Sequence, residues 1–175
     1  MNLPNALTFL RILLIPVIAS LLIYRDYTLA LVLFVIAGVS DALDGILARA
    51  LGKKTKLGGF LDPLADKLLT VSCFVLLAQA GALPTWLAAL VISRDVLISL
   101  GVLMFLVTAH PLDFRPSLVS KLNTSCQLLT IFVALLYRGI QGAPMPLPIL
   151  VWLTGVLTVA SGLHYLARGI RAAGG

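Results

Sequence analysis

Apolar runs of about 20 residues, separated by short polar or Pro- and Gly-bearing stretches, set the rhythm of this chain. A helix rises about 1.5 Å per residue, so a run of that length crosses the roughly 30 Å hydrocarbon core of a bilayer. The pattern predicts an all-α integral membrane protein with six spans, at about 8–24, 28–50, 59–81, 84–109, 117–138 and 146–169. Residues 1–10 form a short interfacial helix leading into the first span, with neither the charged region nor the cleavage site of a signal peptide. Tyr24-Arg25-Asp26-Tyr27 makes a tight polar turn with aromatics at the interface. Lys53-Lys54-Thr55-Lys56 is a basic loop, and Gly81-Ala82-Leu83-Pro84, His110-Pro111 and Gly142-Ala143-Pro144 punctuate the rest. With no internal repeat and no low-complexity tract, the 175 residues form one domain, 1–175, with no room for a separate soluble one.

Composition agrees with lipid as the main solvent. Only 11% of the residues are charged, against about 25% in soluble domains, and 60% are hydrophobic. The mean hydropathy is +1.07. The net charge of +6 suits anionic lipid headgroups. Nucleic acid is a poor partner, because no basic run with interleaved aromatics occurs. Cys73 and Cys126 lie inside apolar stretches and read as small core residues. Arg49, Lys53, Lys54, Lys56, Arg115, Lys121, Arg168 and Arg171 fall on one side of the spans with Arg11, and Arg25 and Arg138 on the other. The bias places both termini and the basic loop in the cytoplasm, in keeping with an even number of spans. A bacterial-type inner membrane is the expected location.

The acids carry the chemistry. All seven are Asp, and five lie within or at the ends of apolar spans, where a carboxylate is costly and usually has a function or a partner. Asp41 and Asp44 stand i,i+3 at the end of span two, and Asp62 and Asp66 i,i+4 at the start of span three, each pair on one helix face. The short connection predicts antiparallel neighbours whose acidic ends meet near the cytoplasmic surface. Four converging carboxylates need cations, and oxygen-only ligands select Mg²⁺ or Mn²⁺. Their charge suffices for two divalent ions, an arrangement suited to in-line displacement at phosphorus. Gly45 and Gly58-Gly59 leave space for a base or phosphate to approach the backbone, and Arg49 is placed to hold a phosphate.

Asp41-Ala42-Leu43-Asp44-Gly45-Ile46-Leu47-Ala48-Arg49, followed at fixed spacing by Gly58, Asp62 and Asp66, fills every position of D-x₂-D-G-x₂-A-R-x₈-G-x₃-D-x₃-D. This pattern resembles the signature of the CDP-alcohol phosphatidyltransferases. The resemblance implies that Asp41, Asp44 and Asp62 bind metal, that Asp66 is the general base and also touches metal, and that Gly45, Arg49 and Gly58 line the CDP pocket. Asn5, Thr8 and Arg11 resemble the family's N-terminal segment, which contacts the nucleotide and diphosphate. A homodimer is implied as well. Ile92-Ser93-Arg94-Asp95-Val96 and Pro116-Ser117-x-x-Ser120-Lys121-x-Asn123-Thr124-x-x-Gln127 are similar to CMP-forming cardiolipin synthases.

Asn123, standing where glycerolphosphate-using relatives tend to carry a second lysine, suits a diester acceptor better than a dianion. The expected reaction is therefore transfer of a phosphatidyl group from CDP-diacylglycerol to phosphatidylglycerol, giving cardiolipin and CMP, with glycerol-3-phosphate as the alternative acceptor. Arg94, Arg115, Lys121 and Asn123 are the expected acceptor residues. Arg94 is weighed against a buried ion pair with Asp95 or Asp66, since neighbours on a helix point about 100° apart. His164 reads as a packing or interfacial residue, and Trp152 and Tyr165 as lipid-interface anchors. A cation channel would need a polar path through both leaflets, whereas Leu29 to Val35 and Val71 to Leu77 are nearly all apolar. A purely structural scaffold gives no reason for an intact motif.

Overall fold

A computed structural model describes the backbone of residues 3–50, 58–107, 118–140 and 147–173, and the side chains of 9–41, 63–101, 118–140 and 147–168. Among the described residues there are six helices and no strand: α1 (Leu3–Ile23), α2 (Tyr27–Ala50), α3 (Gly58–Gln79), α4 (Thr85–Val107), α5 (Leu118–Gly139) and α6 (Leu147–Ala173). These follow the six predicted runs closely. The separate interfacial helix does not appear, because α1 runs unbroken from Leu3. Pro4 falls in its first turn, where a missing N–H costs nothing, and Asn5 to Arg11 contains no glycine or proline to end the helix. His110-Pro111, Gly142-Ala143-Pro144 and the basic loop lie outside the described residues.

Among the described residues, two helices are long and apolar enough to cross a membrane, Leu118–Gly139 and Leu147–Arg168, and shorter apolar stretches run over Phe9–Ile23 and Tyr27–Asp41. The exposed surface is nevertheless apolar on several helices: Val32, Val35 and Val39 on α2, Leu122 and Leu129 on α5, Ile149, Trp152 and Val156 on α6. Arg11, Arg94, Asp95, Asn123 and Gln127 are buried. A water-soluble protein arranges these residue types the other way round.

The chain packs as two compact units, 1–83 with 131–145, and 84–130 with 146–175. In the first, α1 packs against both α2 and α3, with Ile18, Leu22, Phe34, Leu69, Phe74 and Leu77 in the core. The direct pairing of α2 with α3 expected from their short connection is not among the principal helix contacts of the described residues, where α1 is the element both share.

The turn after α1 is a Schellman cap. Arg25 is left-handed (φ 64°), its N–H donates to the Leu22 carbonyl and that of Asp26 to Leu21. The Asp26 carboxylate then accepts the Leu29 N–H at 3.1 Å and so caps α2.

The end of α3 repeats the cap with Gly81 (φ 66°), where Gly81 and Ala82 donate to Ala78 and Leu77. Arg138 donates to the Ala80 carbonyl at 3.0 Å, a cation at the negative end of a helix. A Cβ at Gly81 would meet Arg138 at 3.6 Å, an ordinary contact, so Gly81→Ala strains only the backbone. It is expected to cost about 1 kcal/mol, read as a lower midpoint in thermal unfolding of the detergent-solubilised protein.

In the second unit α4 packs on α6. The rings of Trp86 and Trp152 meet at a 39° tilt with centroids 5.3 Å apart. Gly155 makes room for Trp86, since a Cβ there would lie 3.0 Å from its ring.

Candidate functional site

Helix α2 continues through Asp41, Asp44, Gly45 and Arg49, and α3 opens at Gly58 and carries Asp62 and Asp66. Helical geometry therefore puts each aspartate pair on one face. The side chains of Asn5, Thr8, Asp44, Arg49 and Asp62 lie outside the described residues, as do the surroundings of Gly45 and Gly58 and the whole of Arg115.

Asp41 is half-exposed, while Arg11 on α1 is 1% exposed, and its Nη2 lies 2.7 Å from Asp41 Oδ1. The approach is close but not aligned as a hydrogen bond. Nε, Nη1 and Nη2 are all buried without a hydrogen-bond partner among the described residues. A buried guanidinium costs several kcal/mol in desolvation, of the order that only a close counter-charge offsets. Asp41 is that counter-charge. Asp66 is partly buried on α3, one turn beyond Pro63. Among the described residues no three His, Cys, Asp or Glu side chains come together. Asp41 and Asp66 offer oxygen alone, and both cysteines are buried free thiols elsewhere in the helices. This donor chemistry fits Mg²⁺ or Mn²⁺ and not a soft metal.

The second unit contains a buried polar seam. Arg94 donates from Nη1 to Asp95 Oδ1 at 2.6 Å, and from Nη2 to Ser120 Oγ at 2.6 Å and Ser161 Oγ at 2.7 Å. Nε adds a longer bond of 3.3 Å to Ser161. The two neighbours leave the helix in different directions, yet the long arginine stem curls back far enough to pair them. Arg94 is thus paired with Asp95, one of the two partners weighed for it.

Asn123 is fully buried, and Thr158 donates to its Oδ1 at 2.9 Å. Gln127 lies one turn on, also buried. Thr130 and Thr154 share a 2.7 Å hydrogen bond. Lys121 is exposed at the start of α5. His164 is exposed, as is Trp152 apart from its contact with Trp86.

Ser161 and Thr158 were not expected as partners of this seam. Their signal in the sequence is Thr154, Thr158 and Ser161 at helical spacing on α6, facing Ser120, Asn123, Gln127 and Thr130 at matching spacing on α5.

Residues 1–160 match the family described as CDP-alcohol phosphatidyltransferase. A Drosophila melanogaster protein named probable cardiolipin synthase (CMP-forming) is 36% identical over 189 residues, covering 95% of this chain and 57% of that protein. The human cardiolipin synthase (CMP-forming) is 34% identical over 185 residues, covering 96% and 62%. A Mycobacterium tuberculosis protein named probable phosphatidylglycerophosphate synthase is 34% identical over 182 residues, covering 99% and 84%. The chain thus spans about three fifths of the first two relatives.

Proposed function

The chain belongs to the CDP-alcohol phosphatidyltransferase family, and from that premise we propose that it transfers the phosphatidyl group of CDP-diacylglycerol to phosphatidylglycerol, giving cardiolipin and CMP. The observation that carries the proposal is the Asp41 carboxylate of the family motif, half-exposed at the polar end of α2 and held against the buried Arg11. Asp41, Asp44, Asp62 and Asp66 would hold divalent ions, which when bound neutralise the diphosphate oxygens. Arg49, on the same helix as Asp41, meets the departing CMP phosphate. Asp66 takes the proton of the acceptor hydroxyl, whose oxygen bonds to the lipid-side phosphorus. The bridging P–O bond breaks, and CMP leaves with the bridging oxygen and its electron pair. A carboxylate is a weak base for an alcohol, so proton transfer comes late in the transition state.

Phosphatidylglycerol is favoured over glycerol-3-phosphate by the neutral Asn123 in Ser120-Lys121-x-Asn123-Thr124 and by the relatives named as cardiolipin synthases. The second reading, a phosphatidylglycerophosphate synthase, has its own support in the mycobacterial relative. The exposed apolar side chains of α2, α5 and α6 support helices embedded in a membrane, and the bias of Lys and Arg along the sequence is what supports six spans with termini and acidic motif on the cytoplasmic side. Lys121, exposed at the start of α5, would meet the anionic headgroup of the acceptor.

The test is CMP release by the purified protein with CDP-diacylglycerol and, in turn, phosphatidylglycerol, glycerol-3-phosphate, inositol phosphate and serine. Cardiolipin is expected with phosphatidylglycerol, at a rate at least tenfold above the other acceptors. Efficient formation of phosphatidylglycerolphosphate without cardiolipin would overturn the acceptor and leave the donor standing.

A further inference from the structure

The metal-binding role proposed for Asp41 does not by itself call for a buried arginine behind it. We infer that Arg11 is a positioning residue that pre-orients Asp41 for a divalent ion by holding Oδ1 and leaving Oδ2 to the cation. The inference rests on the proposed metal-binding role of Asp41. Arg11 is 1% exposed on the helix that packs against both α2 and α3, so its guanidinium has little freedom to move. Asp41 is half-exposed, and without a partner its carboxylate would rotate in solvent. The 2.7 Å ion-pair contact to Oδ1 draws that oxygen toward α1 and so restricts the rotation. Mg²⁺ demands near-ideal octahedral geometry, and partners that orient a ligand carboxylate typically change metal affinity by about 10–100-fold when mutated.

Charge alone gives the opposite sign. A guanidinium behind the carboxylate repels a divalent cation, so its removal would tighten binding if repulsion were its only effect. Lysine keeps the charge but not the shape and reach that set its place beside Oδ1, which separates the two effects.

The experiment is titration of the full-length protein in detergent with Mn²⁺ alone, without nucleotide, reading free Mn²⁺ by its electron paramagnetic resonance signal. Arg11→Lys is expected to weaken Mn²⁺ binding by about tenfold, and Arg11→Gln to weaken it too despite the lost positive charge. With no nucleotide present, a contact between Arg11 and the diphosphate cannot produce this loss. Unchanged or tighter binding in Arg11→Lys overturns the inference, and that variant decides alone if Arg11→Gln does not fold. Asp41→Asn distinguishes the two failures. If it loses Mn²⁺ while Arg11→Lys retains it, positioning by Arg11 is wrong and the metal site stands. If Asp41→Asn binds Mn²⁺ like the unaltered protein, the metal-ligand reading of Asp41 falls and this inference with it.

Discussion

Asp66→Asn is expected to lower phosphatidyl transfer by roughly 10²–10⁴-fold, the usual contribution of a general base. CDP-diacylglycerol affinity should stay within about tenfold, or ~1.4 kcal/mol. Asparagine keeps the shape of the side chain and one carbonyl oxygen, so the helical start of α3 and its packing on α1 are preserved. What it loses is the ability to accept the acceptor's proton. CMP release and direct binding of CDP-diacylglycerol measure the two effects separately. Near-normal turnover in Asp66→Asn would remove the base assignment. A parallel loss of donor binding would make Asp66 chiefly a ligand.

The second large effect belongs to the buried ion pair of α4. Asp95→Ala leaves Arg94, 7% exposed, with hydroxyl partners Ser120 and Ser161 but no counter-charge within the described surroundings. Breaking one side of a buried pair costs about 3–5 kcal/mol. A substantial drop in the thermal unfolding midpoint is therefore expected. Replacing both partners, as in Arg94→Met with Asp95→Ala, is expected to recover much of it, because the uncompensated charge is gone. The outcome discriminates between the two roles of Arg94. If Asp95→Ala unfolds like the unaltered protein and only raises the acceptor KM, Arg94 serves a ligand and not the fold.

The six helices and their limits were legible because their causes are local. Apolar run length, the Tyr24–Tyr27 turn, Gly81 before Pro84 and Gly58 at the head of α3 each act within a few residues. The placement of the acidic motif was legible for a similar reason, since Asp41 with Asp44 and Asp62 with Asp66 need only helical periodicity to share a face. The continuous α1 was missed because an interfacial segment and the first turns of a spanning helix have the same composition.

The sequence by itself thus determined the partition into helices, the acidic motif and the family it marks. Tertiary structure alone decided which buried charges and amides are paired: Arg11 with Asp41 across α1 and α2, Arg94 with Asp95, Ser120 and Ser161, and Asn123 with Thr158. Periodicity fixes which residues share a face of one helix. The rotation of that face against its neighbours, and how far a long arginine reaches back along its own helix, come from packing between segments as distant as Arg94 and Ser161.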